Sequence, residues 1–123
     1  MNGNSVLLDT NIILYLLGGD KTLLPLLQNK QLFVSFITQL ELLSFKGLKK
    51  SEILEIKKFL LECTIIDINS KIKEHTINIR IKNSLKLPDS IIIATALFLN
   101  IPLLSADNQF CNIKDADLIF YQK

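Results

Sequence analysis

The chain has 123 residues, of which 49% are apolar, and its formal net charge is +2. This length suits one domain with one core, so residues 1–123 are predicted to form a single domain, and the apolar fraction excludes a disordered chain. Two cysteines and one histidine without metal-ligand spacing argue against a zinc site. The N-terminus does not have the pattern of a signal peptide, and no uncharged stretch reaches the roughly 20 residues of a spanning helix, so we expect a cytoplasmic protein.

Short apolar runs alternate with segments of helical periodicity along the chain. Strands are predicted at residues 5–8, 32–35, 64–68, 103–105 and 118–121. Helices are predicted at residues 10–17, 21–29, 37–46, 51–62, 70–86 and 88–99, with Ser51 as the N-cap of the fourth. The alternation predicts an α/β fold, in which a mainly parallel sheet of four or five strands has helices on both faces, as a three-layer sandwich.

Four carboxylates stand where predicted strands meet helices. Asp9 and Asp107 each follow a strand, Glu41 lies in the helix after the second strand, and Asp89 lies in the first turn of the apolar helix 88–99. Each is surrounded by apolar residues, and a buried carboxylate is costly unless a partner neutralises it. Asp9 and Asp107 should share the carboxyl edge of the sheet, where ligands bind in such folds. Four carboxylates that meet there would bind hard cations through oxygen, which predicts a metal site suited to phosphodiester chemistry.

Other polar residues accompany the acids. Thr10, Asn11 and Ser105 are short side chains beside them, fit to orient metal ligands by hydrogen bonds, although capping or turn chemistry explains them nearly as well. Arg80 lies nine residues before Asp89 and is predicted either to support the site or to be a solvated helix charge. Without the four acids the chain has 14 basic against 8 acidic residues, a balance that suits a polyanionic partner.

At these motifs the sequence resembles the PIN-domain ribonucleases, and specifically the VapC-type toxins of bacterial toxin–antitoxin pairs. The resemblance covers nearly all of the chain and rests on four pieces in the family's order: Leu8-Asp9-Thr10-Asn11, Glu41, Leu87-Pro88-Asp89 followed by Ile92-Ile93-Ala94-Thr95-Ala96, and Leu103-Leu104-Ser105-Ala106-Asp107. Many members carry a further aspartate where this chain has Gln109.

The resemblance implies a PIN-like fold and hydrolysis of RNA with one or two Mg²⁺ or Mn²⁺ ions. Asp9 and Asp89 would hold the metal, with Glu41 and Asp107 acting directly or through water. The products would be a 5′-phosphate and a 3′-hydroxyl. An antitoxin protein is the implied partner, and the apolar composition adds the expectation of a homodimer.

Two other readings of the sequence remain open. One is a catalytically silent PIN-like module that binds a partner protein through segments such as residues 33–45. The other is a phosphoacceptor receiver domain, which would need an acidic pair at the first strand and a lysine at the last, and the sequence has neither.

Overall fold

Five parallel strands form the central sheet of the computed structural model, which describes residues 4–122. Their order across the sheet is β3-β2-β1-β4-β5, and every neighbouring pair is parallel. The strands are β1 (Ser5–Leu8), β2 (Gln31–Ser35), β3 (Thr64–Ile66), β4 (Leu103–Ser105) and β5 (Leu118–Phe120). In the central register Leu7 lies opposite both Phe33 and Leu103.

Helices cover both faces of this sheet because successive strand side chains point to opposite sides. Leu7, Phe33 and Leu103 belong to one buried apolar cluster, and Val6 and Leu8 belong to a second. The first cluster draws mainly on α5 (Ser70–Lys82) and α6 (Leu87–Leu99), and the second mainly on α1 (Thr10–Leu17), α2 (Leu23–Leu27), α3 (Phe36–Leu43) and α4 (Lys50–Leu61). The predicted three-layer α/β fold is confirmed.

The helix α6 is buried along its middle, as its apolar sequence predicts: every residue from Ser90 to Ala96 is buried. Its two buried hydroxyls are satisfied within the helix, because Ser90 Oγ donates to the Lys86 carbonyl (2.9 Å) and Thr95 Oγ1 to the Ile91 carbonyl (2.7 Å). Pro88 stands in the first turn, where its missing N–H costs nothing. The helix therefore presents Asp89 directly before its buried stretch.

The order of the strands changes direction between β1 and β4. From β1 the chain moves outward on one side to β2 and β3, and then it crosses back through α5 and α6 to β4 and β5 on the other side. The Asp9 N–H donates to the Leu104 carbonyl at 3.0 Å, so the carboxyl ends of β1 and β4 lie side by side. In open parallel sheets such a switch point opens a crevice for ligands. The order also differs from the 2-1-3-4-5 of receiver domains, which argues against that reading.

Several predicted boundaries are wrong at the ends of elements. α5 ends at Lys82 and not at residue 86, as was predicted. The next residue, Asn83, has an extended backbone, and its Nδ2 donates to the Ile79 carbonyl at 3.1 Å. α3 ends at Leu43 instead of residue 46. The early end of α3 leaves residues 44–49 as a loop before α4, with consequences for the site.

The predicted N-cap of α4 is also wrong. Ser51 lies inside the helix, and Lys49 is the N-cap. The Glu52 Oε1 accepts a hydrogen bond from the Lys49 N–H at 2.9 Å, so the first-turn acid satisfies a backbone donor at this helix start. Also missed is the short 3₁₀ helix Asn108–Asn112 that follows Asp107. Within residues 4–122 no helix is long and apolar enough to cross a membrane.

Candidate active site

All four predicted carboxylates line one cavity of about 340 Å³ at the carboxyl edge of the sheet. The neighbours that line it with them are Thr10, Asn11, Ser44 and Phe45. Asp9 comes from the end of β1, Glu41 from α3, Asp89 from the start of α6, and Asp107 from the segment after β4. The switch point thus brings together residues that are up to 98 positions apart in the sequence.

Asp9 is the most buried of the four, with 5% of its surface exposed. Its Oδ1 accepts from the Thr10 N–H at 2.7 Å, and its Oδ2 accepts from Ser105 Oγ at 2.7 Å. Burial raises the pKa of Asp9; the two hydrogen bonds oppose that rise, and the charges of Asp107 and Glu41 add to it. Ser105 also accepts from the Asp107 N–H at 3.0 Å, so one buried hydroxyl links two of the acids.

Thr10 connects Glu41 to the first strand. Its Oγ1 donates to Glu41 Oε1 at 2.8 Å and lies 3.2 Å from Thr38 Oγ1. Thr38 was missed in the sequence, although it lies three residues before Glu41 and so faces the same side of α3. A pair of buried threonines therefore fixes where the Glu41 carboxylate lies.

Asp89 is half-buried in the first turn of α6. Burial raises its pKa to about 6, and the charges of Asp9, Asp107 and Glu41 add to that rise, while Lys86 lowers it. The carboxylates of the cavity are thus close enough to repel one another. Neutralising that repulsion is what a bound cation would do.

Asp107 is held by two hydrogen bonds, one to its side chain and one from its backbone N–H. Its Oδ1 accepts from the Gln109 N–H at 2.9 Å and caps the 3₁₀ helix, and its N–H donates to Ser105. Gln109 is exposed at the start of that 3₁₀ helix. These two bonds hold Asp107 in the segment that directly follows β4.

The donor set fits Mg²⁺ or Mn²⁺, since four carboxylates offer the oxygen ligands that hard cations prefer. In their present positions, however, no three Asp, Glu, His or Cys side chains among residues 4–122 form a group that could hold a metal ion. In these positions Asp9, Glu41 and Asp107 each accept a hydrogen bond from a protein donor. Closing the carboxylates around a cation would need side-chain rotation within the cavity.

Of the remaining predicted residues, Asn11 lies at the cavity and Arg80 does not. Asn11 is exposed and lines the cavity, next to Thr10. Arg80 is exposed on α5 and is not among the residues that line the cavity, so the structure does not bring it to the acids. Ser44 and Phe45 line the cavity and were missed, because the helix α3 was predicted to continue past them.

Comparison with known proteins places these features among relatives. The family model for the PIN domain matches residues 6–116. A toxin–antitoxin complex from Klebsiella pneumoniae is similar, with 29% identity over 96% of this chain and 99% of that chain and a TM-score of 0.83. VapBC2 from Rickettsia felis, bound to a DNA fragment from its promoter, has 23% identity over 96% and 99% and a TM-score of 0.83. VapBC-1 from nontypeable Haemophilus influenzae has 25% identity over 94% and 97% and a TM-score of 0.82. A search of curated proteins found no match.

Proposed function

The chain belongs to the PIN domain family, and from this we propose that it is a metal-dependent endoribonuclease, the toxin of a toxin–antitoxin pair. The observation that carries the proposal is the arrangement of Asp9, Glu41, Asp89 and Asp107 around one cavity at the switch point of the sheet. The likeness to a solved toxin–antitoxin complex over nearly the full length of both chains supports it.

Asp9 and Asp89 would hold the metal, with Glu41 and Asp107 completing the site directly or through water. One or two Mg²⁺ or Mn²⁺ ions bound there would lower the pKa of a water molecule and stabilise charge on the phosphoryl and leaving oxygens. Ser105 and Thr10 orient the Asp9 and Glu41 carboxylates by the hydrogen bonds described above. The bond from the Asp107 N–H to Ser105 Oγ holds the Asp107 backbone beside the end of β4. The Asp107 side chain would rotate away from the Gln109 N–H to reach a cation.

The substrate of this site would be RNA. With water as the nucleophile and the 3′-oxygen as the leaving group, as the family resemblance implies, the products would be a 5′-phosphate and a 3′-hydroxyl. The 2′-hydroxyl would then take no part in the chemistry. A preference for RNA then has to come from its shape and from unpaired bases in loops. The excess of basic over acidic residues outside the cavity supports a polyanionic substrate.

Protein partners are the second part of the proposal. An antitoxin would cover the cavity, and a basic side chain, best an arginine, would pair with the carboxylates in bidentate fashion. Large apolar side chains are exposed on the described surface, among them Leu61 (86%), Ile81 (78%) and Ile77 (59%). Ile77 and Ile81 lie one turn apart on α5 and present one apolar face, which supports contact with a second copy or with the antitoxin.

A catalytically silent protein-binding module is the competing function. The exposed apolar side chains Ile77 (59%) and Ile81 (78%) on α5 favour it, because such a face suits contact with a partner protein. The presence of all four acids around one cavity favours the enzyme. Metal-dependent cleavage decides between the two.

The test is cleavage of structured RNA, such as bulk transfer RNA, by the purified full chain. We expect cleavage with Mg²⁺ or Mn²⁺, 5′-phosphate ends in the products, and loss of cleavage with excess EDTA and in Asp9→Asn and Asp89→Asn. Asp117→Asn is the matched control, because Asp117 is an exposed aspartate outside the cavity, and it should cleave like the wild type. Undiminished cleavage in EDTA, or by Asp89→Asn, would contradict the metal-dependent mechanism.

A further inference from the structure

The loop between α3 and α4, residues 44–49, places an aromatic ring at the mouth of the acidic cavity. Phe45 lines the cavity with the four carboxylates, and 44% of its surface is exposed. Among the described residues that line the cavity, Phe45 is the one with an apolar side chain. Its open face is available to a ligand that enters the cavity.

Three lysines follow this ring within five residues. Lys46, Lys49 and Lys50 are all exposed, and among residues 4–122 none of them forms an ion pair. Gly47 has a φ of 82° and turns the chain between them. The segment therefore offers positive charge beside a cavity whose carboxylates would repel a polyanion.

Aromatic rings and unpaired cations together make the surface that binds single-stranded nucleic acid, since bases stack on the rings and phosphates pair with the lysines. We propose that the α3–α4 loop, together with Lys50 at the start of α4, binds a single-stranded segment of RNA next to the cavity. Phe45 stacks on an unpaired base, and Lys46, Lys49 and Lys50 contact phosphates of the same strand. The inference rests on the proposed nuclease function and adds to it an element that binds the substrate.

Stacking of a nucleobase on Phe45 is tested by a thermodynamic cycle, in which substitution of Phe45 is combined with removal of the nucleobases from the RNA. Binding is measured in an Asp89→Asn background with Mg²⁺, so that the RNA stays intact. The probes are a 12-nucleotide single-stranded RNA of random sequence and an oligomer of the same length with abasic tetrahydrofuran units. Each is titrated against proteins with Phe45, Phe45→Leu, Phe45→Trp and Phe98→Ala. Phe98 is the matched control, because it is 41% exposed and does not line the cavity.

Stacking predicts that Phe45→Leu weakens binding of the random RNA at least about fivefold and leaves the abasic oligomer unaffected. Phe45→Trp should keep or strengthen the preference for RNA, and Phe98→Ala should behave like the parent. If Phe45→Leu and Phe98→Ala both keep the parent's preference for bases, stacking on Phe45 is wrong.

The lysines are tested by the salt dependence of RNA binding. The pair Lys46→Gln/Lys49→Gln should reduce the slope of log K against log salt by about 1.4, since each contact to a single strand contributes about 0.7. The pair Lys57→Gln/Lys58→Gln removes the same charge from exposed positions on α4, and its slope should stay nearer to that of the parent. Equal slopes for the two pairs would overturn the lysine contacts.

The outcomes also separate this inference from the function on which it rests. If the wild type cleaves RNA and Phe45→Leu cleaves equally well with unchanged KM, the loop inference fails and the nuclease function stands. If the wild type neither cleaves nor binds RNA, both fail. If Phe45→Leu and the lysine pair disturb only the binding of a partner protein, the loop is a protein-docking surface and the RNA inference is overturned.

Discussion

At the scale of single residues, the site depends on the hydrogen bonds that hold one buried carboxylate, that of Asp9. Asp9 receives two hydrogen bonds at 2.7 Å, and one of them comes from Ser105, which is fully buried. Bonds of this kind to a charged group contribute more to stability than bonds between neutral groups. Ser105 is therefore a residue on which both folding and the site depend.

We expect Ser105→Ala to destabilise the metal-free protein by about 1–3 kcal/mol at neutral pH. The Ser105 bond lowers the pKa of Asp9, so its removal costs most while Asp9 is ionised and less once acid has protonated it. Urea denaturation at pH 7.5 and pH 4 in EDTA measures the difference. Ser84→Ala, at an exposed serine, is the control and should change little. An equal loss for Ser105→Ala at both pH values would show that the bond does not serve the charged form.

Titration of Asp89 makes the free energy of unfolding of the metal-free protein depend on pH. Its pKa in the folded protein is about 6, against a usual value of 3.8. The folded state therefore binds this proton more tightly than the unfolded state, and the stabilisation is full below pH 3.8 and is lost as pH rises through 6. Asp89→Asn keeps a neutral side chain at every pH.

In EDTA, Asp89→Asn should therefore gain stability relative to the wild type between pH 4 and pH 7. Because the side chain is half-exposed, solvent screening reduces the gain to the order of 1 kcal/mol, or about 3–4 °C in Tm. Thermal melts of the two proteins across this range provide the measurement. A mutant that melts several degrees below the wild type at pH 7 would identify Asp89 as a structural cap instead.

At the scale of helices and strands, much of the structure follows from the sequence pattern, and the exceptions have local causes. The predicted bounds of β1, α1 and β4 agree with the structure because apolar runs and caps coincide there. The early ends of α3 and α5 were missed because helix-compatible residues continue past them. At Asn83 the backbone becomes extended and the side-chain Nδ2 donates to the Ile79 carbonyl at 3.1 Å, a local bond that hydrophobic periodicity does not reveal.

The end of α6 gives a test at this scale. Asn100 is the C-cap in the left-handed region, with a φ of 54°, where asparagine and glycine are tolerated better than other residues. We expect Asn100→Ala to destabilise the protein by about 1 kcal/mol, and Asn100→Gly to match or exceed the wild type. Melting temperatures of the three proteins compare them directly. An alanine variant as stable as the glycine variant would mean that the cap adopts another conformation.

At the scale of the whole molecule, the sequence predicts that the site lies at the edge of the sheet. It does not predict which neighbouring side chains contact the four acids. Alternating strands and helices place Asp9 and Asp107 at one edge, and the parallel order of the strands confirms that placement. Sequence alone could not show that Thr38 and Thr10 would hold Glu41, or that Phe45 would face the cavity, because both depend on where α3 packs and ends. Arg80 was predicted as a possible site residue because it is near Asp89 in the sequence, yet it does not line the cavity.

The most direct measurement is anomalous X-ray diffraction from crystals of the protein grown or soaked with Mn²⁺. Four carboxylates that form one metal site predict an anomalous peak inside the cavity, coordinated by Asp9 and Asp89, with Glu41 or Asp107 bound directly or through water. Asp89→Asn crystals in the same Mn²⁺ should show a weak peak there or none. Wild-type crystals with no peak among these carboxylates at millimolar Mn²⁺ would contradict the metal site and the nuclease mechanism built on it.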